Sequence, residues 1–172
     1  MTPRVWFLPL AALLAAAPAV GQAPAVIAAD AVVVSTGMTL TAVRDLAFGG
    51  VPRGVATTVQ PVAANAGAWD VAGSSNAFVT ITFTLPGTLR NIQAVPGVTM
   101  PITFGATSAR WRRASNDPTG GTAFSPSVGT TGRFGPSPNP TLYIWIGGTV
   151  TPGAAQLPGI YTGTVIVQLA YL

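Results

Sequence analysis

The stretch Tyr161–Tyr171, YTGTVIVQLAY, constrains the fold more than any other. Read every second residue, it presents Tyr161, Gly163, Val165, Val167, Leu169 and Tyr171 on one side and Thr162, Thr164, Ile166, Gln168 and Ala170 on the other. Side chains alternate across a β-strand, so the pattern predicts a long strand with one face turned to a core. Such a strand needs a second layer against that face and a neighbour for each hydrogen-bonding edge. Those neighbours come from elsewhere in the chain or from another molecule.

The interior carries the same signal. In AFVTITFTL, Ala77, Val79, Ile81, Phe83 and Leu85 alternate with Phe78 and three threonines. In TLYIWI, Leu142, Ile144 and Ile146 alternate with Tyr143 and Trp145. Segments around 38–48, 54–63, 67–73 and 98–113 read as further strands punctuated by Gly and Pro. Residues 114–140 are Gly, Pro, Ser, Thr and Asn with few large apolar side chains, which predicts a long loop with a short strand around Phe124. No segment after the first two dozen residues has a capped 3.6-residue apolar period. The expected fold is all-β, an immunoglobulin-like β-sandwich of about eight strands.

Composition removes whole classes of chemistry. The chain has no Cys, His, Lys or Glu, and its charged residues are eight Arg and the four aspartates Asp30, Asp45, Asp70 and Asp117. Without His or Cys there is no Ser-His or Cys-His nucleophile and no ordinary zinc or copper site. Without Lys there is no Walker phosphate loop and no Schiff-base lysine. Four scattered Asp are a poor basis for paired acid–base catalysis or a calcium site, and Asn116-Asp117-Pro118 reads as a turn. The expectation is a protein that is not an enzyme, with no catalytic residues, no metal and no cofactor. A net charge of +4 is too mild to indicate a nucleic-acid partner.

The first residues, MTPRVWFLPLAALLAAAPAVGQA, combine Arg4, an apolar run from Val5 to Ala17 and small residues before a cut after Gly21 or Ala23. This reads as a secretory signal, too short and too proline-bounded for a membrane anchor. The expected organisation is a signal peptide at 1–23, an N-terminal extension at 24–36 and a β-sandwich domain at 37–172. The membrane is then met transiently, through the signal, and the mature protein is secreted, periplasmic or on a bacterial cell surface.

Three local patterns, DLAFGG at Asp45–Gly50, LYIWIGGTVTPGAAQLPG at Leu142–Gly159 and YTGTVIVQLAY at Tyr161–Tyr171, resemble an uncharacterised family of exported bacterial domains, the DUF4402 domains. Leu46, Phe48 and Gly49 match its Leu-x-Phe-Gly; Gly147, Gly148 and Thr149 match its Gly-Gly-Thr hairpin; Gly159, Tyr161, Gly163, Thr164 and Tyr171 match its closing strand. The closing strand also resembles the tail of chaperone–usher pilins, with Tyr171 penultimate and Gly159 fourteenth from the end. The chain departs from many such pilins in lacking a Cys pair. The resemblance implies a pilin-like fold and, by analogy, a surface subunit joined to its neighbour by strand exchange, with further copies or other surface subunits as partners and a periplasmic chaperone as a candidate escort.

The assembly strand on this reading is Gly159, Tyr161, Val165, Val167, Leu169 and Tyr171, and the candidate donor residues are Val26, Ile27, Val32, Val33 and Val34. Residues 24–44 of the same chain could also fold back and complete the strand from within; both routes add main-chain hydrogen bonds along a sheet edge and drop alternate side chains into a groove. Val26, Val32 and Val34 share one register, and Ile27, Ala29, Ala31 and Val33 the other. ARWRR, with Arg110, Trp111, Arg112 and Arg113, is a candidate binding patch, weighed against a solvated hairpin end. Trp69, Trp111, Tyr143 and Trp145 read as packing residues more than as a sugar platform. The alternative function is a monomeric exported domain that recognises a glycan or a protein.

Overall fold

The computed structural model describes residues 23–33, 37–93 and 97–172. Residues 1–22, which hold most of the expected signal peptide, and Val34 of the donor segment lie outside them. The described chain is all-β. In order the strands are β1 (Ala23–Val33), β2 (Thr39–Arg44), β3 (Leu46–Val51), β4 (Thr57–Val59), β5 (Gly67–Ala72), β6 (Phe78–Thr84), β7 (Thr88–Asn91), β8 (Thr99–Thr103), β9 (Ala109–Arg113), β10 (Thr122–Phe124), β11 (Thr130–Arg133), β12 (Thr141–Ile146), β13 (Gly148–Val150) and β14 (Tyr161–Tyr171). One 3₁₀ turn, Pro118–Gly120, precedes β10.

Two sheets face each other in a sandwich-like arrangement. The nine-stranded sheet runs β11-β6-β14-β7-β8-β13-β4, with β1 on the other edge of β14 and β3 beyond β1. The five-stranded sheet runs β10-β9-β12-β5-β2. Alternation decides which side chains meet between them. Val79 and Ile81 of β6 and Val165, Val167 and Leu169 of β14 are buried from one sheet, Trp69 and Val71 of β5 and Leu142 and Ile144 of β12 from the other. Aromatic contacts tie the layers: Trp69 meets Phe83 edge-on at 5.9 Å between centroids, and Phe83 meets Phe124 at 6.1 Å.

Fourteen described strands replace the expected eight or so. The extra ones are short, and three or four residues are too few for a period-two pattern to register. The clearest correction is residues 114–140, which are no structureless loop: they hold the 3₁₀ turn, β10 and β11. β11 is TTGR, with no apolar period at all. It is a strand because its backbone pairs with β6, Thr130 opposite Ile81 and Gly132 opposite Val79. A Cβ on Gly132 would sit 2.8 Å from the Ile81 side chain, so the missing side chain is what lets the edge close on the core.

The Gly-Gly-Thr segment is likewise a corner and not a hairpin. β12 pairs with β5 and β9 in one sheet, whereas β13 pairs with β4 and β8 in the other. The chain switches layers at Gly147, where an added Cβ would lie 2.1 Å from the Val59 carbonyl oxygen. No side chain fits there, which gives the glycine a physical reason.

Candidate functional site

β14 is where the predicted assembly strand lies, and its inner face is closed. Tyr161, Val165, Val167 and Leu169 are each 0–1 % exposed. On one edge its C-terminal half pairs antiparallel with β6, and its first residues pair with β7. On the other edge it pairs in parallel with β1, from Ala25 opposite Tyr161 to Val33 opposite Leu169. β1 in turn pairs antiparallel with β3, from Ala23 opposite Val51 to Ile27 opposite Leu46. Past the end of β3 its edge is met by a side chain: the Ala29 N–H donates to Asp45 Oδ1 at 3.0 Å. The first described strand is therefore an interior strand of the larger sheet.

The side chains across this seam are complementary in size. Ala25 lies beside Tyr161, Ile27 beside Gly163 and Ala29 beside Val165. Ala25 and Ile27 are fully buried, and Ala29 packs half-buried on the same cluster. A Cβ on Gly163 would come within 2.7 Å of Leu89 Cδ2, so a side chain there would require Leu89 to shift. The Ala-rich composition of β1 is thus what a seam against large β14 side chains requires. The inward register is that of Ile27 and Ala29; Val26 is half-buried on the opposite face. Val32 and Val33 are placed by backbone register opposite Gln168 and Leu169.

Both ends of β14 are pinned by a tyrosine. The Tyr161 hydroxyl donates to the Leu157 carbonyl at 2.6 Å and accepts from Gln156 Nε2 at 2.6 Å. The Tyr171 hydroxyl accepts from the Ser74 N–H at 2.9 Å, and its ring packs on Phe134 at 5.9 Å. Gly159 sits at φ +146, with the Asn91 side chain where a Cβ would go. Asp45, Gln156 and Gly163 do work at this seam that strand periodicity does not reveal, because their roles depend on partners distant in sequence.

Of the ARWRR residues, Trp111, Arg112 and Arg113 line one shallow surface pocket with Gly120 and Thr122. Arg110 and Arg112 share the outer face of the five-stranded sheet, in register with Trp145 and Tyr143. Both fold onto the turn that follows: Arg110 Nη1 donates to the carbonyls of Pro118, Thr119 and Gly121, and Arg112 forms an ion pair with Asp117. Hydrogen bonds from the Thr119 hydroxyl and N–H, with Arg112 adding, hold the Asp117 carboxyl below the usual carboxylate range. Trp111 points the other way and packs on the core, with its indole N–H buried and unpartnered, as is that of Trp69. Arg113 is exposed.

The aromatic residues split between the two faces. Trp69 and Trp111 face inward as expected, but Tyr143 and Trp145 stack on each other on the outer face, 6.1 Å apart and 18° from parallel. Asp70 lies beside Tyr143 in register, and burial pushes its carboxyl above the usual range. No protein-family model matches the chain, and no curated protein does either.

Proposed function

We propose that this protein is a non-enzymatic subunit of a bacterial surface assembly, an immunoglobulin-type, pilin-like sandwich whose copies are joined by exchange of β1, as the resemblance to exported DUF4402 domains and to pilin tails implies. The observation that carries the reading is the position of β1. It is the first described strand, it lies between β14 and β3, and it closes the core seam over Tyr161, Val165 and Leu169. A strand that fills a groove within one chain fills the same groove in a second copy with identical contacts, which is the physical basis of strand swapping. Removing it would open both edges and uncover Ile27's pocket, and burial of such a side chain contributes roughly 1.5–3 kcal/mol.

The test is size measurement on the mature chain with and without residues 24–33, followed by electron microscopy. The intact chain is expected to form higher-order species. The truncated chain is expected to lose the fold as a monomer and to regain it when a peptide of residues 24–33 is added. An intact chain that stays monomeric at every concentration and forms no fibres would count decisively for the second reading, a monomeric exported binding domain. The intramolecular pairing of β1 with β14 is the observation that favours that reading.

A further inference from the structure

A cleft of about 220 Å³ opens on the outer face of the five-stranded sheet, away from the seam. The buried Trp145, with Asp70, Arg44 and Asn116, lines it, together with the exposed Val43 and Val62. Its construction is specific. The register of β2 against β5 slips between Ala42 and Arg44, so Val43 is an extra residue and Arg44 comes to lie opposite Ala68 on the outer face. Bulges of this kind re-aim side chains and are enriched beside functional sites. Arg44 is fixed by its Nε, which donates to the Ala66 carbonyl at 2.6 Å.

The polar groups of the cleft have capacity to spare. Among the described residues, the Asp70 carboxylate and the Asn116 carboxamide have no hydrogen-bond partner, and the Nη groups of Arg44 have none either. Asp70 is an acceptor, Arg44 a donor, and Asn116 both. Their formal charges cancel, so neither an anion nor a cation is favoured. Vicinal hydroxyls, which donate and accept at once, match such a set. The exposed side chains of Val43 and Val62, over the buried Trp145, offer apolar contact to ring C–H groups. The volume is below the roughly 300–1,000 Å³ of pockets that enclose drug-sized ligands, and suits one ring.

We propose that this cleft binds a single neutral pyranose ring, such as the terminal sugar of a glycan, with Asp70 and Arg44 gripping adjacent hydroxyls and Asn116 a third. The site is independent of how β1 is shared. The test is saturation-transfer NMR on the full mature chain with the methyl pyranosides of glucose, galactose, mannose, fucose and N-acetylglucosamine. At least one is expected to receive saturation, with millimolar affinity that is insensitive to salt. Asp70→Ala and Asn116→Ala, the latter at an exposed position that leaves the fold alone, are each expected to weaken that sugar by about tenfold, and Arg90→Ala, on the other sheet, to leave it unchanged. No transfer to any of the five, transfer unaffected by both cleft variants, or binding confined to a charged probe such as an oligoarginine peptide would overturn the proposal.

Discussion

β1 and β14 lie side by side over the same stretch of sheet, yet they carry opposite kinds of information. β14 brings the large side chains, Tyr161, Val165, Val167 and Leu169, and is buried by virtue of its own alternation. Either side of the buried Ile27, β1 brings Ala25 and Ala29, whose burial has meaning only against the tyrosine and valine opposite. A strand rich in large apolar residues declares its face; a strand rich in alanine takes its place from its neighbour. Close packing rewards the pair as a unit, because the volume one leaves is the volume the other fills.

Four substitutions test that contrast. The largest effect is expected from Leu169→Ala, which empties a fully buried site on β14 and should cost about 2–5 kcal/mol; chemical denaturation measures it directly. Ala25→Leu tests the small side of the seam. Overpacking against Tyr161 should cost about 1–3 kcal/mol, and a neutral result would mean that β1 docks loosely. Asp45→Ala removes the acceptor for the Ala29 N–H and should cost about 0.5–1.5 kcal/mol, visible as faster amide exchange at Ala29. The smallest change is expected away from the seam, in Asp70→Asn. Burial raises the Asp70 carboxyl above its ordinary value, so its charged form opposes folding at neutral pH and the penalty is relieved as pH falls through the carboxylate range. The variant should melt slightly higher than the parent at neutral pH, and the two should converge in acid.

Strands of both sheets were legible in the sequence. The inward faces of β6, β12 and β14 follow from the period-two alternation of their bulky apolar side chains. What escaped depends on relations between distant residues. TTGR becomes β11 because β6 offers an edge and Gly132 leaves room for Ile81. Gly147 turns the chain from one layer to the other because the Val59 carbonyl occupies the space a side chain would need. The outer-face cleft escaped for the same reason: Arg44, Asp70, Asn116 and Trp145 come from four separate segments, and the slip in β2 that brings Arg44 to it has no local signature.

Because the chain has no cysteine, exchange of β1 can be read from a single covalent bond. Ala28 and Thr164 are exposed partners across the parallel seam, and neighbouring strands about 4.8 Å apart lie within the span a disulfide needs. Chains carrying Ala28→Cys alone and chains carrying Thr164→Cys alone are mixed, allowed to assemble and oxidised. Exchange predicts a covalent heterodimer joining the two kinds of chain at those positions. Folded monomers whose thiols both stay free would contradict it.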